Sequence, residues 1–206
     1  MNLEIFPLFS TPIMYIEDTE YQFSQDEIEY FETLKMRENF FNNISKDTYV
    51  LENFRMKKIK QFCQNQLNRY TYDILRIKQP FCLTNSWATH NCNGQSHQEH
   101  RHYNCIFSGV FYIRSSCEMG SLKFHHGERF SKEFNFQYDF EDHNVFNSGT
   151  WTFSTKTATM IIFPSWLRHS VTENQTDSKR IVLGFNAFVE GDFNADYASK
   201  LTVKCD

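Results

Sequence analysis

The hydrophobic pattern changes at Pro80, and this change constrains the fold more than any other feature of the chain. Beyond Pro80 the helical spacing of apolar residues stops, and short apolar runs alternate with Gly, Asn, Ser and Asp. That pattern is typical of strands joined by turns. The predicted strands cover residues 83–88, 105–113, 121–125, 134–138, 150–153, 159–163, 169–172 and 180–188. Many short strands without intervening helices indicate a jelly roll or a small barrel.

The first 80 residues predict strand and helical support for that sheet structure. One or two short strands, interrupted by Pro7 and Pro12, are expected within residues 1–17. Ser24 and Glu27 form a capping box that should start a helix ending near residue 36. A second helix is predicted over residues 49–76, because apolar residues recur there at helical spacing and should pack against the sheet. They are Leu51, Phe54, Ile59, Phe62, Leu67, Tyr70 and Ile74.

A length of 206 residues fits a single domain. We expect residues 1–80 to form the strand and helical support, residues 81–190 the jelly-roll core, and residues 191–206 a tail that is either a terminal helix or frayed. The polar residues 139–149 should form a loop, which could act as a lid.

Charge and cysteine spacing exclude several classes of function. A net charge of -4 gives no strong overall attraction to nucleic acid. The six cysteines contain no C-x-x-C pair, which argues against a zinc ribbon or a thioredoxin-like site, and scattered thiols fit a reducing cytosol. The chain shows no signal peptide and no apolar run of about 18 residues that could span a bilayer. We therefore expect a cytoplasmic protein with no membrane partner.

Two histidines separated by one residue carry the strongest chemical signal. If one strand includes His100 and His102, both side chains lie on the same face. A distant third histidine, His169, could complete a facial metal site with open positions, the geometry of non-heme iron oxygenases. A competing register uses His97 and Glu99, a His-x-carboxylate pair that would face the opposite way on a regular strand.

Arg180 begins an alternating strand and shares one face with Val182, Gly184 and Asn186. An arginine on an inner face needs a carboxylate partner, from either a side chain or a ligand. The alternative is an arginine at the mouth of the strand that reaches solvent through its long stem. Together with the histidines, the first reading indicates an iron enzyme that uses a 2-oxo acid.

Several segments resemble the iron(II)- and 2-oxoglutarate-dependent dioxygenase superfamily. The chain is most similar to a small group of 2OG-Fe(II) oxygenases common in marine phages and bacteria. The resemblance covers residues 83–188, and its most specific part is the run F-P-S-W-L-R-H-S-V at 163–171 with a downstream arginine. The other matching segments are 86–87, 94, 100–102, 108–113, 120–124 and 180–181.

The resemblance implies a fold, an activity and a set of site residues. The fold would be a double-stranded β-helix, the cupin-like form of the jelly roll, and the activity the hydroxylation of a substrate C–H bond. The cofactors would be Fe(II) and 2-oxoglutarate, with O2 consumed and succinate and carbon dioxide released. His100 would be the first iron ligand and His169 the distal one. Arg180 would bind the far carboxylate of 2-oxoglutarate, with Tyr112 as a second donor to it.

The chain departs from the superfamily at position 102, where His replaces the usual Asp or Glu. The third ligand could be His102, Glu99 or solvent. Three neutral imidazoles would leave a higher net charge on iron than two imidazoles and a carboxylate.

The substrate class and two rival functions stay open at this stage. Superfamily analogy allows a protein side chain, a nucleobase or a small metabolite as substrate, and fold alone does not select one. One rival is a non-enzymatic jelly roll, either a binding module or a phage structural component. The other is a three-histidine metal enzyme that does not use 2-oxoglutarate. Arg180 discriminates between the oxygenase and both rivals, because only the oxygenase needs this residue to bind a cofactor.

Overall fold

Two antiparallel β-sheets dominate the computed structural model, which describes residues 3–126, 138–194 and 197–204. The N-terminal elements are β1 (Met14–Ile16), α1 (Gln25–Thr33), β2 (Met36–Asn39), β3 (Asn42–Ser45) and α2 (Lys57–Asn68). The strands that follow are β4 (Phe81–Asn91), β5 (His97–His100), β6 (Phe107–Arg114), β7 (Leu122–His125), β8 (Thr150–Phe153), β9 (Met160–Pro164), β10 (His169–Val171), β11 (Arg180–Val189), β12 (Gly191–Phe193) and β13 (Leu201–Val203).

The strand order confirms the predicted jelly roll with N-terminal helices. The larger sheet has seven strands in the order β1-β9-β6-β11-β4-β3-β2, and the smaller has four in the order β5-β10-β7-β8. Strands β12 and β13 form a separate pair. The seven predicted strands that fall on described residues are all present. The eighth, 134–138, lies almost entirely outside the described residues.

Alternate residues of the large sheet enter two different cores, as the two-residue period of a strand requires. On one face Met160, Ile162 and Leu183 pack with residues from the helical segments, including Phe31 and Ile59. On the other face the core joins the two sheets and consists of Tyr112, Leu122, Phe124, Ile161, Phe163, Leu167, Val171 and Val182. The helices therefore cover the outside of the large sheet, and the space between the sheets is left for a site.

The first helix begins as its capping box predicts. The Glu27 amide donates to Ser24 Oγ at 3.2 Å, and the Ser24 amide donates to the Glu27 carboxylate at 2.8 Å. The helix ends at Thr33, short of the expected residue 36, because the chain turns into the hairpin of β2 and β3. That polar hairpin extends the large sheet through the pairing of β3 with β4, and its sequence did not predict it.

The single helix predicted over residues 49–76 is wrong in extent. Asn53 adopts an extended conformation and accepts a hydrogen bond from the Arg55 amide, which interrupts the helix. Separate 3-10 turns form at Val50–Glu52 and Phe54–Met56, and π-helical residues Arg69–Ile74 follow α2. Most of the predicted stripe is buried, but Phe54 before α2 and Ile74 in the π-helical end are 86% and 48% exposed.

Three smaller expectations had different outcomes. One short strand, β1, forms before residue 17 among the described residues, as expected, whereas part of the tail pairs as β12 and β13 instead of forming a helix or fraying. The expectation of scattered thiols holds for Cys63, Cys92, Cys105 and Cys117, which are free, and is wrong for Cys82, which is disulfide-bonded. None of the described helices is long and apolar enough to cross a lipid bilayer.

A close approach between two strands yields a stability prediction. Gly109 on β6 lies opposite Phe185 on β11, and a Cβ at Gly109 would come within 2.1 Å of the Phe185 ring. We expect Gly109→Ala to lower the free energy of unfolding by about 1–3 kcal/mol, the cost of overpacking a core. Chemical denaturation would measure it, with the exposed strand substitution Thr152→Ala as control. Equal stability of the two variants would contradict the prediction.

Candidate metal and cofactor site

A β-bulge sets the direction of two histidines on β5. Strand β5 pairs antiparallel with β10, so that His100 lies opposite His169 and His97 lies opposite Val171. Three residue steps on β5 therefore match two steps on β10, which is the definition of a bulge. On a regular strand residues three apart face opposite sides, but here the rings of His97 and His100 stack with centroids 4.2 Å apart. Both side chains consequently face the space between the sheets.

His100 and His102 do not lie on one strand, which was the condition for their side chains to share a face by alternation. Strand β5 ends at His100, and β6 begins only at Phe107. His102 lies in the irregular segment between them, where its amide donates to the Ser165 carbonyl at 3.0 Å. Its ring still joins the cluster, with centroid distances of 5.3 Å to His100 and 5.0 Å to His169.

The cluster presents three ring nitrogens to one point. One nitrogen each from His100, His102 and His169 lie within 4.8 Å of one another. The Nδ1 of His100 contacts the Gln98 carbonyl at 2.8 Å, and that of His169 contacts the Leu167 carbonyl at 2.9 Å. Because a carbonyl oxygen only accepts, Nδ1 must carry the proton in both rings, and the Nε2 lone pairs are free to bind a metal.

His102 is oriented by a polar network that the sequence interpretation missed. Its Nδ1 lies 2.9 Å from Asn186 Oδ1 and 2.7 Å from Ser108 Oγ. Ser108 in turn contacts Ser165 Oγ at 2.8 Å, and Asn186 Nδ2 donates to Asn85 Oδ1 at 3.0 Å. The signal was in the strand pattern, because Ser108 shares the predicted face of the histidines and Asn186 shares that of Arg180.

The environment keeps the histidines of the cluster neutral. Burial is the main cause in each case, and the charge of neighbouring residues adds to it for most of them. The pKa of His102 falls to about 4 and that of His97 to about 3. The pKa values of His100 and His169 are also lowered, that of His169 far below its usual value. Neutral imidazole is the form that binds metals.

Glu99 lies on the opposite side of β5 from the cluster. Its carboxylate accepts a hydrogen bond from Arg168 Nε and lies 3.4 Å from His125 Nδ1. The arginine guanidinium holds the pKa of Glu99 below its usual range. His97 and Glu99, considered as a His-x-carboxylate pair, therefore lie on opposite sides of β5. The histidine is directed inwards, and the carboxylate pairs with residues outside the cluster.

Arg180 is buried without a carboxylate partner among the described residues. Its side chain does not reach solvent, since the residue is only 2% exposed. Nη1 donates to the Met119 carbonyl at 3.3 Å, whereas Nε has no hydrogen-bond partner. The guanidinium carbon lies 5.4 Å from the centre of the Tyr112 ring. Burial lowers the pKa of Arg180, so the site would favour an anion as its partner.

Two glycines allow this close packing. At Gly120, where φ is +92°, a Cβ would lie 2.3 Å from the Thr172 carbonyl and 3.2 Å from Arg180 Nη1. At Gly184 a Cβ would come within 2.6 Å of the Trp87 ring. That ring in turn packs 5.3 Å from His102. Gly184 therefore leaves room for Trp87, which supports the histidine cluster.

Comparison with known proteins identifies the family. A family model described as "Putative 2OG-Fe(II) oxygenase" matches residues 85–186, which include the three histidines and Arg180. The chain belongs to the 2OG-Fe(II) oxygenase family. It is therefore an iron(II)- and 2-oxoglutarate-dependent oxygenase with O2 as co-substrate, and the non-enzymatic alternative is set aside. No curated protein sequence matches the chain.

Solved structures of low sequence identity share the fold. An oxidoreductase of the 2OG-Fe(II) oxygenase family from Burkholderia pseudomallei is 12% identical, with a TM-score of 0.53 over 81% of this chain and 79% of its own. HygX from Streptomyces hygroscopicus, with nickel, 2-oxoglutarate and hygromycin B bound, is 14% identical, with a TM-score of 0.59 over 95% and 93%. The epimerase SnoN, in complex with Fe3+, alpha ketoglutarate and nogalamycin RO, is 10% identical, with a TM-score of 0.63 over 95% and 92%.

The donor set of this oxygenase fits both cofactors. Three neutral imidazoles with free Nε2 lone pairs suit a first-row divalent metal and leave coordination positions open. The unpartnered Nε of a buried guanidinium suits a carboxylate.

The network around His102 yields a prediction on metal affinity. Asn186→Ala removes an acceptor that orients the His102 ring. We expect it to weaken iron(II) affinity by about 10-fold to 100-fold, the usual effect of losing such a partner. Anaerobic metal titration would measure it. Asn93→Ala is the control, since Asn93 is exposed and bonds only Asp177 among the described residues. An unchanged affinity in Asn186→Ala would show that the network does not support the metal.

Proposed function

We propose that His100, His102 and His169 bind the iron of this oxygenase and that Arg180 binds the far carboxylate of 2-oxoglutarate. The proposal rests on two groups of side chains on the same inner surface that lack a binding partner among the described residues. One is a group of three converging imidazole nitrogens. The other is a buried guanidinium with no carboxylate among the described residues. A metal satisfies the first feature, and a 2-oxo acid with a second carboxylate satisfies the second.

Of the three candidates for the third ligand, the structure favours His102. Its ring is oriented by Asn186 and Ser108, and it is one of the three residues whose nitrogens converge. Glu99 would have to leave both Arg168 and His125 and cross to the other face of β5. The Glu99 carboxylate would lose its interactions with Arg168 and His125 if it moved, so it would gain little free energy. We therefore assign Glu99 no role in metal binding.

The chain's own residues perform three tasks in the reaction. The Nδ1–H donors of the histidines hold the rings so that Nε2 faces the metal. Arg180 fixes one end of the 2-oxo acid and sets its distance from the metal. The apolar residues between the sheets, among them Phe163 and Val182, exclude water from the site. When bound, iron and 2-oxoglutarate would supply the oxidation of the substrate C–H bond by O2, with 2-oxoglutarate converted to succinate and carbon dioxide.

We assign Tyr112 a supporting role at the cofactor carboxylate. Its ring lies against the Arg180 guanidinium and is almost fully buried. Burial raises the pKa of Tyr112, so its hydroxyl stays protonated and can donate a hydrogen bond to an anion.

The substrate offers a C–H bond to this site, and we propose three classes to test: protein side chains, nucleobases and small metabolites. Tyr103 and Trp166, adjacent to His102 and Ser165 in sequence, are 68% and 59% exposed, so their rings are available to contact it. Formation of succinate above the uncoupled background would identify the class. A cytoplasmic location, inferred from the sequence, stays a prediction.

The ligand assignment is tested by two substitutions on either side of β5. We expect His102→Ala to reduce iron(II) affinity by more than about 100-fold, since loss of an outer partner alone costs about 10–100-fold. His169→Ala should behave in the same way. The control Glu99→Gln should keep its iron, because Glu99 is engaged outside the cluster. If the His102→Ala variant keeps its iron and the Glu99→Gln variant loses it, Glu99 is the third ligand.

The role of Arg180 is tested by anaerobic titration of the iron(II)-loaded protein with 2-oxoglutarate. A chelated 2-oxo acid produces a weak visible charge-transfer band, which should appear and saturate in the unaltered protein. We expect Arg180→Ala to weaken this binding by about 2–5 kcal/mol, the scale for removing one partner of a buried charge pair. Loss of the exposed charge in Arg168→Ala should cost less than about 1 kcal/mol.

Each result separates the oxygenase from its rival. Iron binding without the band in the unaltered protein would favour a three-histidine metal enzyme that does not use 2-oxoglutarate. If Arg180→Ala and the unaltered protein bind 2-oxoglutarate with equal affinity, Arg180 does not bind its far carboxylate.

A further inference from the structure

A fourth histidine, His97, faces the same inner surface and has no part in the proposed metal set. The bulge in β5 directs it inwards, and its ring stacks on that of His100. Its nitrogens are not among the three that converge within 4.8 Å. Within the described residues neither ring nitrogen of His97 has a hydrogen-bond partner, and the residue is half-buried. Its N–H is therefore free to donate to a ligand.

The neighbours of His97 lead to the metal cluster on one side and, less directly, to Arg180 on the other. His97 lies opposite Val171, one residue before Thr172. The Thr172 carbonyl adjoins Gly120, and a Cβ on Gly120 would lie 3.2 Å from Arg180 Nη1. On its other side His97 stacks on His100. The charge of Arg180 also contributes to the lowered pKa of His97, which agrees with this proximity.

We propose that His97 donates a hydrogen bond to the same carboxylate that Arg180 binds, and so selects 2-oxo acids that carry a second carboxylate. The inference rests on the proposed function, because it needs a 2-oxo acid that extends from the metal to Arg180. In this proposal the ligand extends past His97. The imidazole N–H and the guanidinium would then hold the carboxylate from two sides, with the second donor adding affinity and direction.

The test compares two substitutions that separate hydrogen bonding from stacking. His97→Phe keeps a flat ring against His100 but removes both nitrogens, whereas His97→Gln keeps an N–H donor. His143→Phe is the control, since it makes the same change at an exposed loop position. The dissociation constants of iron(II) and of 2-oxoglutarate are measured separately, the second by the anaerobic charge-transfer titration. 2-Oxobutyrate, a 2-oxo acid without the far carboxylate, serves as the second probe.

The expected result is specific to the dicarboxylate. His97→Phe should bind 2-oxoglutarate about 10-fold to 100-fold more weakly, the range for a hydrogen bond to a charged group. Its affinities for iron(II) and 2-oxobutyrate should change by less than about threefold, and His97→Gln should recover most of the lost affinity for 2-oxoglutarate.

Three results would overturn the inference. One is an unchanged 2-oxoglutarate affinity in His97→Phe. Another is an equal loss for 2-oxoglutarate and 2-oxobutyrate. The last is loss of iron in both variants, which would make His97 only a support for His100. Failure of the unaltered protein to bind 2-oxoglutarate at all is a separate outcome, since it would remove the proposed function itself.

Discussion

The pairing of β5 with β10 determines what the inner surface of this oxygenase can bind. This pairing sets His100 opposite His169, and its bulge turns His97 to the same side. Without the bulge, the two-residue period of a strand would direct His97 and His100 to opposite faces. Glu99, on the outer side, then pairs with Arg168 and His125 and leaves the cluster without a carboxylate. The donor set is therefore a consequence of backbone register as much as of residue type.

The second constraint is electrostatic and concerns Arg180. A buried guanidinium loses its hydration, and a single hydrogen bond to Met119 with the face of Tyr112 replaces only part of it. Because Nε has no hydrogen-bond partner among the described residues, part of the free energy of desolvating the guanidinium is not offset in the absence of a ligand. Binding a carboxylate there recovers it, so ligand binding and folded-state stability are coupled through the same side chain. Gly120 leaves room beside the guanidinium, since a Cβ there would lie 3.2 Å from Arg180 Nη1.

The sequence predicted the jelly roll because that fold depends on local patterns, and the same patterns selected the candidate site residues. Alternation on β11 placed Arg180 and Asn186 on one face, and in the structure Arg180 is buried while Asn186 Oδ1 lies beside His102 Nδ1, a contact that the sequence did not predict. The bulge in β5 could not be foreseen, because register depends on the partner strand and not on the bulged residues themselves. Likewise, Asn53 interrupts the predicted second helix by a local cap that outweighs its apolar spacing.

Charge balance explains why a cluster of neutral histidines and a buried arginine belong to one site. Three imidazoles leave the full charge of a divalent metal uncompensated by the protein, whereas a carboxylate ligand would cancel part of it. Arg180 adds a second uncompensated positive charge close by, and the only carboxylate on β5 is paired outside the cluster. A dianionic ligand that spans the metal and the guanidinium places one carboxylate at each, which neutralises Arg180 and half of the metal's charge. A monoanion bound to the metal would leave the buried charge of Arg180 without a partner, which is a physical reason for this inner surface to prefer a 2-oxo dicarboxylate over a 2-oxo monocarboxylate.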